Sequence, residues 1–277
     1  LFLTMRPRPH LCPPGFSLRV RAGGFTLIEL LTVIAIIGIL AAIVIPTVGT
    51  VREKAQRSVD ANSAREILKA AQIYAGDNQD RLPDPQNIAN ATLNAPQPAW
   101  KWPGILAKNN ILSDASFYFA KNDPAFNGTY PQFIIQPTAQ RNSLNTQFTT
   151  SRSPSWEFVG GVKMSDPATT PVLYTRGLTA QGVWNATSGV YKDTGGFIAF
   201  LGGNVGFFSS ITTATSPFVS NNPSSTSTTR PIDIRQAIPL NGTAATATSA
   251  RIYGIPPPAG AGGMVGSTGG TLAARGP

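Results

Sequence analysis

The 277-residue sequence has one cysteine, Cys12, and one histidine, His10, and both stand ahead of Gly24. From residue 25 onward the chain has neither thiol nor imidazole. That excludes intrachain disulfides, thiolate nucleophiles, imidazole general bases, Ser-His-Asp triads and Cys/His metal sites from that whole length. Charge is also scarce, at 13% of residues, while 27 Gly and 24 Pro punctuate the chain. Such a composition predicts a loop-rich body with helix concentrated in one place. No paired catalytic group stands out, so the expectation is of no enzyme, no cofactor and no metal.

The formal net charge of +9 raises nucleic acid as a partner, but four of those charges, Arg6, Arg8, Arg19 and Arg21, precede Phe25. Without them the side-chain balance is +5, and the remaining Lys and Arg are scattered, with no basic helix and no interleaved aromatics. A nucleic-acid partner is not expected on that pattern.

What is present is a long apolar run. From Phe25 to Ile45 only Glu29 carries charge, and about 20 such residues cross the hydrocarbon core of a bilayer as a helix. The arginines on its N-terminal flank, against a mixed Arg52-Glu53-Lys54 on the other, predict an N-terminus in the cytoplasm and an exported C-terminal body. Two features set this run apart from an ordinary signal or anchor. A carboxylate within a membrane segment costs on the order of 2.5–3.5 kcal/mol and calls for a partner. The basic segment ends in Gly23-Gly24 directly before the run, whereas a secretory signal is cut after its apolar region. A cut after Gly24 leaves the hydrophobic helix on the mature chain.

The stretch from Gly24 through Phe25-Thr26-Leu27-Ile28-Glu29-Leu30-Leu31, followed by Val33 to Ala42 and Pro46, resembles the N-terminus of type IV pilins and type II secretion pseudopilins. The resemblance covers about residues 19–80. It implies that a prepilin peptidase cuts between Gly24 and Phe25 and methylates the new amino terminus at Phe25. It also implies that Glu29 pairs with the terminal amine of a neighbouring subunit, the partner that its burial requires. The implied partners are that peptidase, other pilin or pseudopilin subunits in a homo- or hetero-polymer, an inner-membrane assembly platform and membrane lipid. The implied location is the inner membrane, as a single pass with the body periplasmic, and then a pilus or pseudopilus.

Beyond Pro46, Val51, Ala55, Val59, Ile67, Leu68, Ala71, Tyr74 and Ala75 keep helical spacing. The apolar helix should therefore continue outward, kinked at Pro46, until Gly76, with Asp77, Asp80 and Pro83 just beyond. About 50 residues of helix span roughly 75 Å. From Leu82 to Ser210, short apolar runs between Pro, Gly and Asn predict strands. Gly196–Leu201 and Val205–Phe208 around Gly202-Gly203-Asn204 read as a hairpin, with Pro171–Thr175 as a partner strand. The expected fold is α+β and pilin-like, a long N-terminal helix packed on a small antiparallel sheet. Its segments are a leader (1–24), a membrane and stalk helix (25–80), a β-rich body (81–210) and a Ser/Thr/Gly/Pro-rich disordered tail (211–277). Within that tail, residues 232–240 are the candidate for one strand or turn. Asp77, Asp80 and Asp84 are weighed as calcium ligands and read instead as solvated carboxylates.

The function expected is a structural subunit of a pilus or secretion pseudopilus. The alternative is a membrane-tethered binding protein that uses the pilin-type segment only for export and presents Trp100, Trp102, Trp156 and Trp184 to a glycan. Against it stands the commoner use of tryptophan as a core anchor.

Overall fold

A computed structural model describes residues 24–85, 93, 98–126, 128–137, 141–150, 154–220, 228–239 and 251–254. Residues 1–23, with His10 and Cys12, lie outside the described residues. The chain divides into two compact units, one up to Arg52 and the other from Glu53 onward.

Helix α1 runs Leu27–Asp77 and includes Pro46. Its first part, through Arg52, buries no residue. From Glu53 onward it presents Asp60, Ala64, Ile67, Leu68, Ala71, Tyr74 and Ala75 to the core of the body. The small residues in that set let the helix lie close. Gln72 fixes its level on the sheet by donating Nε2 to the Leu201 carbonyl at 2.8 Å. Asp60 is buried on the same face and accepts from Gln56 Nε2 at 3.1 Å and from the Tyr191 hydroxyl. Burial raises its carboxyl pKa, and those two hydrogen bonds oppose the shift. Arg57 covers the rim of this contact, its guanidinium lying 4.3 Å from the Phe207 ring centroid.

The body is a five-stranded antiparallel sheet of order β4-β3-β2-β1-β5. Its strands are β1 (Trp156–Gly160), β2 (Pro171–Thr175), β3 (Gly196–Phe200), β4 (Val205–Phe208) and β5 (Arg251–Tyr253). Strands β1, β2 and β3 are buried at every position, which explains why they read as near-continuous apolar runs rather than alternating ones. Pro171 is tolerated because it opens its strand, where a missing amide costs least. Strands β3 and β4 form the hairpin, paired from Gly196↔Phe208 to Ala199↔Val205. Its turn holds Gly203 at φ 93°, a conformation that glycine adopts without strain.

The body also contains helix α2 (Pro98–Lys108) and the short α3 (Thr146–Thr150). Trp102 of α2 stacks on Phe158 of β1 with ring centroids 4.6 Å apart. All four tryptophans are core residues, none more than 4% exposed. Trp156 Nε1 donates to the Phe117 carbonyl at 3.0 Å. None of the four forms an exposed platform, so the glycan surface of the alternative reading is overturned.

The tail boundary at 211 needs correction for the described parts of 211–277. Phe218, Ile234, Ile238 and Tyr253 are fully buried, and Ile211 and Ile252 nearly so. A 3-10 turn, Ile234–Gln236, is capped by Asp233, whose Oδ1 accepts from the Arg235 amide at 2.9 Å. Strand β5 pairs with β1 in the register Phe158↔Tyr253, Val159↔Ile252 and Gly160↔Arg251. Widely spaced apolar residues thus each complete a core built elsewhere, a pattern that averaging over Ser, Thr and Gly hides. The rest of that segment, 221–227, 240–250 and 255–277, lies outside the described residues.

The seat of β5 depends on one glycine. A Cβ on Gly160 would lie 2.6 Å from Tyr253 Cε2 and 3.1 Å from Asp84 Oδ1, and the Tyr253 hydroxyl donates to that same Asp84 oxygen at 2.5 Å. Asp84 is buried and so is not a solvated carboxylate. Gly160→Ala is expected to destabilise the body by about 1–3 kcal/mol through overpacking, read as a lowered denaturation midpoint with β5 the first element to lose amide protection.

Candidate assembly site at the head of the apolar helix

Gly24, Phe25 and Thr26 precede the first turn of α1. Thr26 and Glu29 then close a reciprocal cap. Glu29 Oε2 accepts from the Thr26 amide at 2.8 Å and from Thr26 Oγ1 at 2.7 Å, while the Glu29 amide donates to Thr26 Oγ1 at 3.3 Å. A helix start leaves four amides without intrahelical acceptors, and a Thr-x-x-Glu pattern satisfies two of them from two side chains. The Thr32 hydroxyl extends this pattern by donating to the Glu29 carbonyl at 3.0 Å. The site residues expected from the sequence include Glu29 but not its capping partner Thr26. Its signal, Thr three residues before Glu at the start of an apolar run, was present.

Glu29 is therefore held at the first turn with its Oε2 turned toward Thr26, the residue that follows Phe25. Phe25 itself is 84% exposed and Leu27 82%. No side chain from elsewhere in the described residues covers the apolar run, and its most apolar 18-residue window is 0% buried. Length and composition fit this helix to a bilayer crossing. Among the described residues, a Cβ on Gly24 would meet nothing within 4 Å. Pro46 sits within α1, and the Thr47 and Thr50 hydroxyls beside it donate back to the carbonyls of Val44 and Thr47 at 2.8 and 2.9 Å. Asp77, Asp80 and Asp84 do not converge, and among the described residues no three His, Cys, Asp or Glu side chains are grouped to hold a metal ion.

A model of the prokaryotic N-terminal methylation motif matches residues 19–45. The chain is 35% identical over 79 residues to type II secretion system core protein G of Aeromonas hydrophila, which is 28% of this chain and 54% of the relative. It is 36% identical over 95 residues to the protein of the same name from Pseudomonas aeruginosa, 32% of this chain and 66% of the relative. It is 47% identical over 57 residues to the type IV wide pilus major component PilA4 of Thermus thermophilus, 21% of this chain and 44% of the relative. The chain spans about half to two thirds of the length of these relatives. No solved structure matches it. The capped apolar segment thus carries a prokaryotic N-terminal methylation motif, and through it the chain is similar to type II secretion core proteins and a type IV pilus component.

Proposed function

We propose that this chain is a structural subunit of an extracytoplasmic filament, a pilus or a type II secretion pseudopilus, assembled through its N-terminal helix. The observation that carries the reading is the Thr26–Glu29 cap at the head of a helix whose apolar side chains are exposed among the described residues. Residues 1–24 serve as the leader that a prepilin peptidase removes between Gly24 and Phe25, with methylation at Phe25. The apolar helix sits in the inner membrane with its N-terminus cytoplasmic, as the arginines ahead of it favour. The body, periplasmic, stands on residues 53–77.

Polymerisation then moves the helix from lipid to a filament core, with delivery by an inner-membrane assembly platform. Its apolar surroundings are kept, so little hydrophobic free energy is lost. Glu29 gains the Phe25 ammonium of a neighbouring subunit, and opposite charges in a low-dielectric seam offset each other's desolvation when held close. Pro46, which removes one backbone donor, is the point at which the helix bends to fit its neighbours. The buried tryptophans weigh against a tethered glycan-binding protein.

N-terminal sequencing and mass spectrometry of the protein extracted from membranes test the reading. The expected mature start is N-methylated Phe25. A start near residue 47, after the apolar run, would mean ordinary secretion and would end the proposal.

A further inference from the structure

Strand β1 carries one ionisable residue, Glu157, between the apolar Trp156 and Phe158. It is 2% exposed, and its Oε2 has no hydrogen-bond partner among the described residues. Glu157 stands opposite Tyr174 of β2 in the sheet register, and the Tyr174 hydroxyl donates to its carboxyl group. Arg176, at the far end of β2, is the nearby cation, but its guanidinium is engaged by Asp123 at 2.6 Å. Beyond Tyr174 lie Asp233 and Arg235, which pair with each other at 2.6 Å beside the buried Ile234. The neighbouring register positions, Ile198 opposite Tyr174 and Ile252 opposite Val159, are apolar. A lone carboxylate in such a place would be desolvated on one oxygen without compensation, whereas the neutral acid fits.

We propose that Glu157 is a proton-linked fastener for the sheet: neutral, it lets β1 and β2 close around Tyr174, and ionised, it loosens that packing. Burial pushes the Glu157 carboxyl up to about 8 from an ordinary 4.5, while the Tyr174 hydrogen bond and the Arg176 charge pull the other way. The folded state therefore holds a proton that the unfolded chain releases. Stability is fully present below about pH 4.5, declines as pH rises toward 8 and is lost through that value.

The experiment compares the full chain in detergent with its Glu157→Gln variant between pH 5 and 9. The wild-type melting midpoint should fall across that range by on the order of 5–10 °C while the variant stays flat. The wild-type decline should run through pH 5 to 8 and level off above about pH 8. Parallel melting profiles would overturn the proposal. If the variant fails to fold, infrared spectroscopy of wild type labelled with 13C at glutamate side-chain carboxyls decides. A protonated-acid band at pH 7 that disappears by pH 9 supports the fastener, and absence of that band at pH 7 refutes it.

Discussion

Glu29→Val should insert into the membrane at least as well as wild type, yet lower filament yield by a factor of 100 or more. Insertion becomes easier because the variant removes a carboxylate that costs on the order of 2.5–3.5 kcal/mol in the apolar run. Assembly suffers because each Phe25 ammonium would enter the filament core without its counter-charge, and breaking a buried pair from one side costs about 3–5 kcal/mol. Since 1.4 kcal/mol is tenfold in an equilibrium, the lower end of that range already gives about 100-fold. The Thr26–Glu29 cap complicates this test, because Glu29→Val also strips the helix start of an acceptor, worth about 1 kcal/mol. Glu29→Gln separates the two effects. Glutamine keeps an acceptor for the Thr26 amide, as a capping box allows, but carries no charge. If the ion pair drives assembly, the Gln and Val variants fail alike in sheared-filament assays while both remain in the membrane fraction. If the cap drives it, the Gln variant assembles normally. Normal yield from the Val variant would sink the role of Glu29 altogether.

The second large effect belongs to the body. Arg176 and Asp123 form a buried pair, Nη2 to Oδ1 at 2.6 Å, with side chains 7% and 1% exposed. Their remaining groups are also satisfied. Arg176 Nη1 donates to the Pro154 carbonyl at 3.0 Å and Nε to the Ser188 carbonyl at 3.1 Å, while the Ser155 hydroxyl donates to Asp123 Oδ2 at 2.7 Å. Four loop segments meet on these two side chains. Asp123→Ala leaves the guanidinium buried and uncompensated and should cost about 3–5 kcal/mol, about 6–20 °C in melting midpoint for a chain of this size. Arg176→Ala should cost at least as much, since two backbone carbonyls lose their donor as well. The double variant should fall well short of the sum, because the pair is already broken by either change. Denaturation of the detergent-solubilised chain checks all three, and a loss under 1 kcal/mol for either single variant would show that the loops are held by something else.

Much of the architecture was legible beforehand, and particular residues show why. Gly202-Gly203-Asn204 between two apolar runs announced the β3–β4 hairpin, because the turn needs a left-handed residue and the runs need a shared face. The spacing from Val51 to Ala75 foretold the outer part of α1, and Gly76 lay one residue from its observed end at Asp77. In the segment Gly24–Glu29 the charge of Glu29 is plain in the sequence, whereas its cap with Thr26 follows only from the unsatisfied amides of a helix start. Strand β5 was missed for a different reason. Arg251-Ile252-Tyr253 is three residues in a stretch of Gly, Ala and Thr, and what makes it a strand is the Gly160 notch and Asp84, some 90 and 170 positions away along the chain. Glu157 escaped notice because one acid in an apolar run says nothing of depth until both faces of the sheet are covered.

The order β4-β3-β2-β1-β5 has a bearing on how the body is completed. Strand β5 is the last of the five to leave the ribosome, and its partner β1 is the first, with Phe158 and Tyr253 about 95 residues apart. Throughout that interval the outer edge of β1 has open amides and carbonyls and an empty Tyr253 seat. Closure of the sheet thus waits for its last strand. A chain cut short anywhere before Arg251 would keep the outer edge of β1 without its β5 partner, an edge open to pairing with another chain.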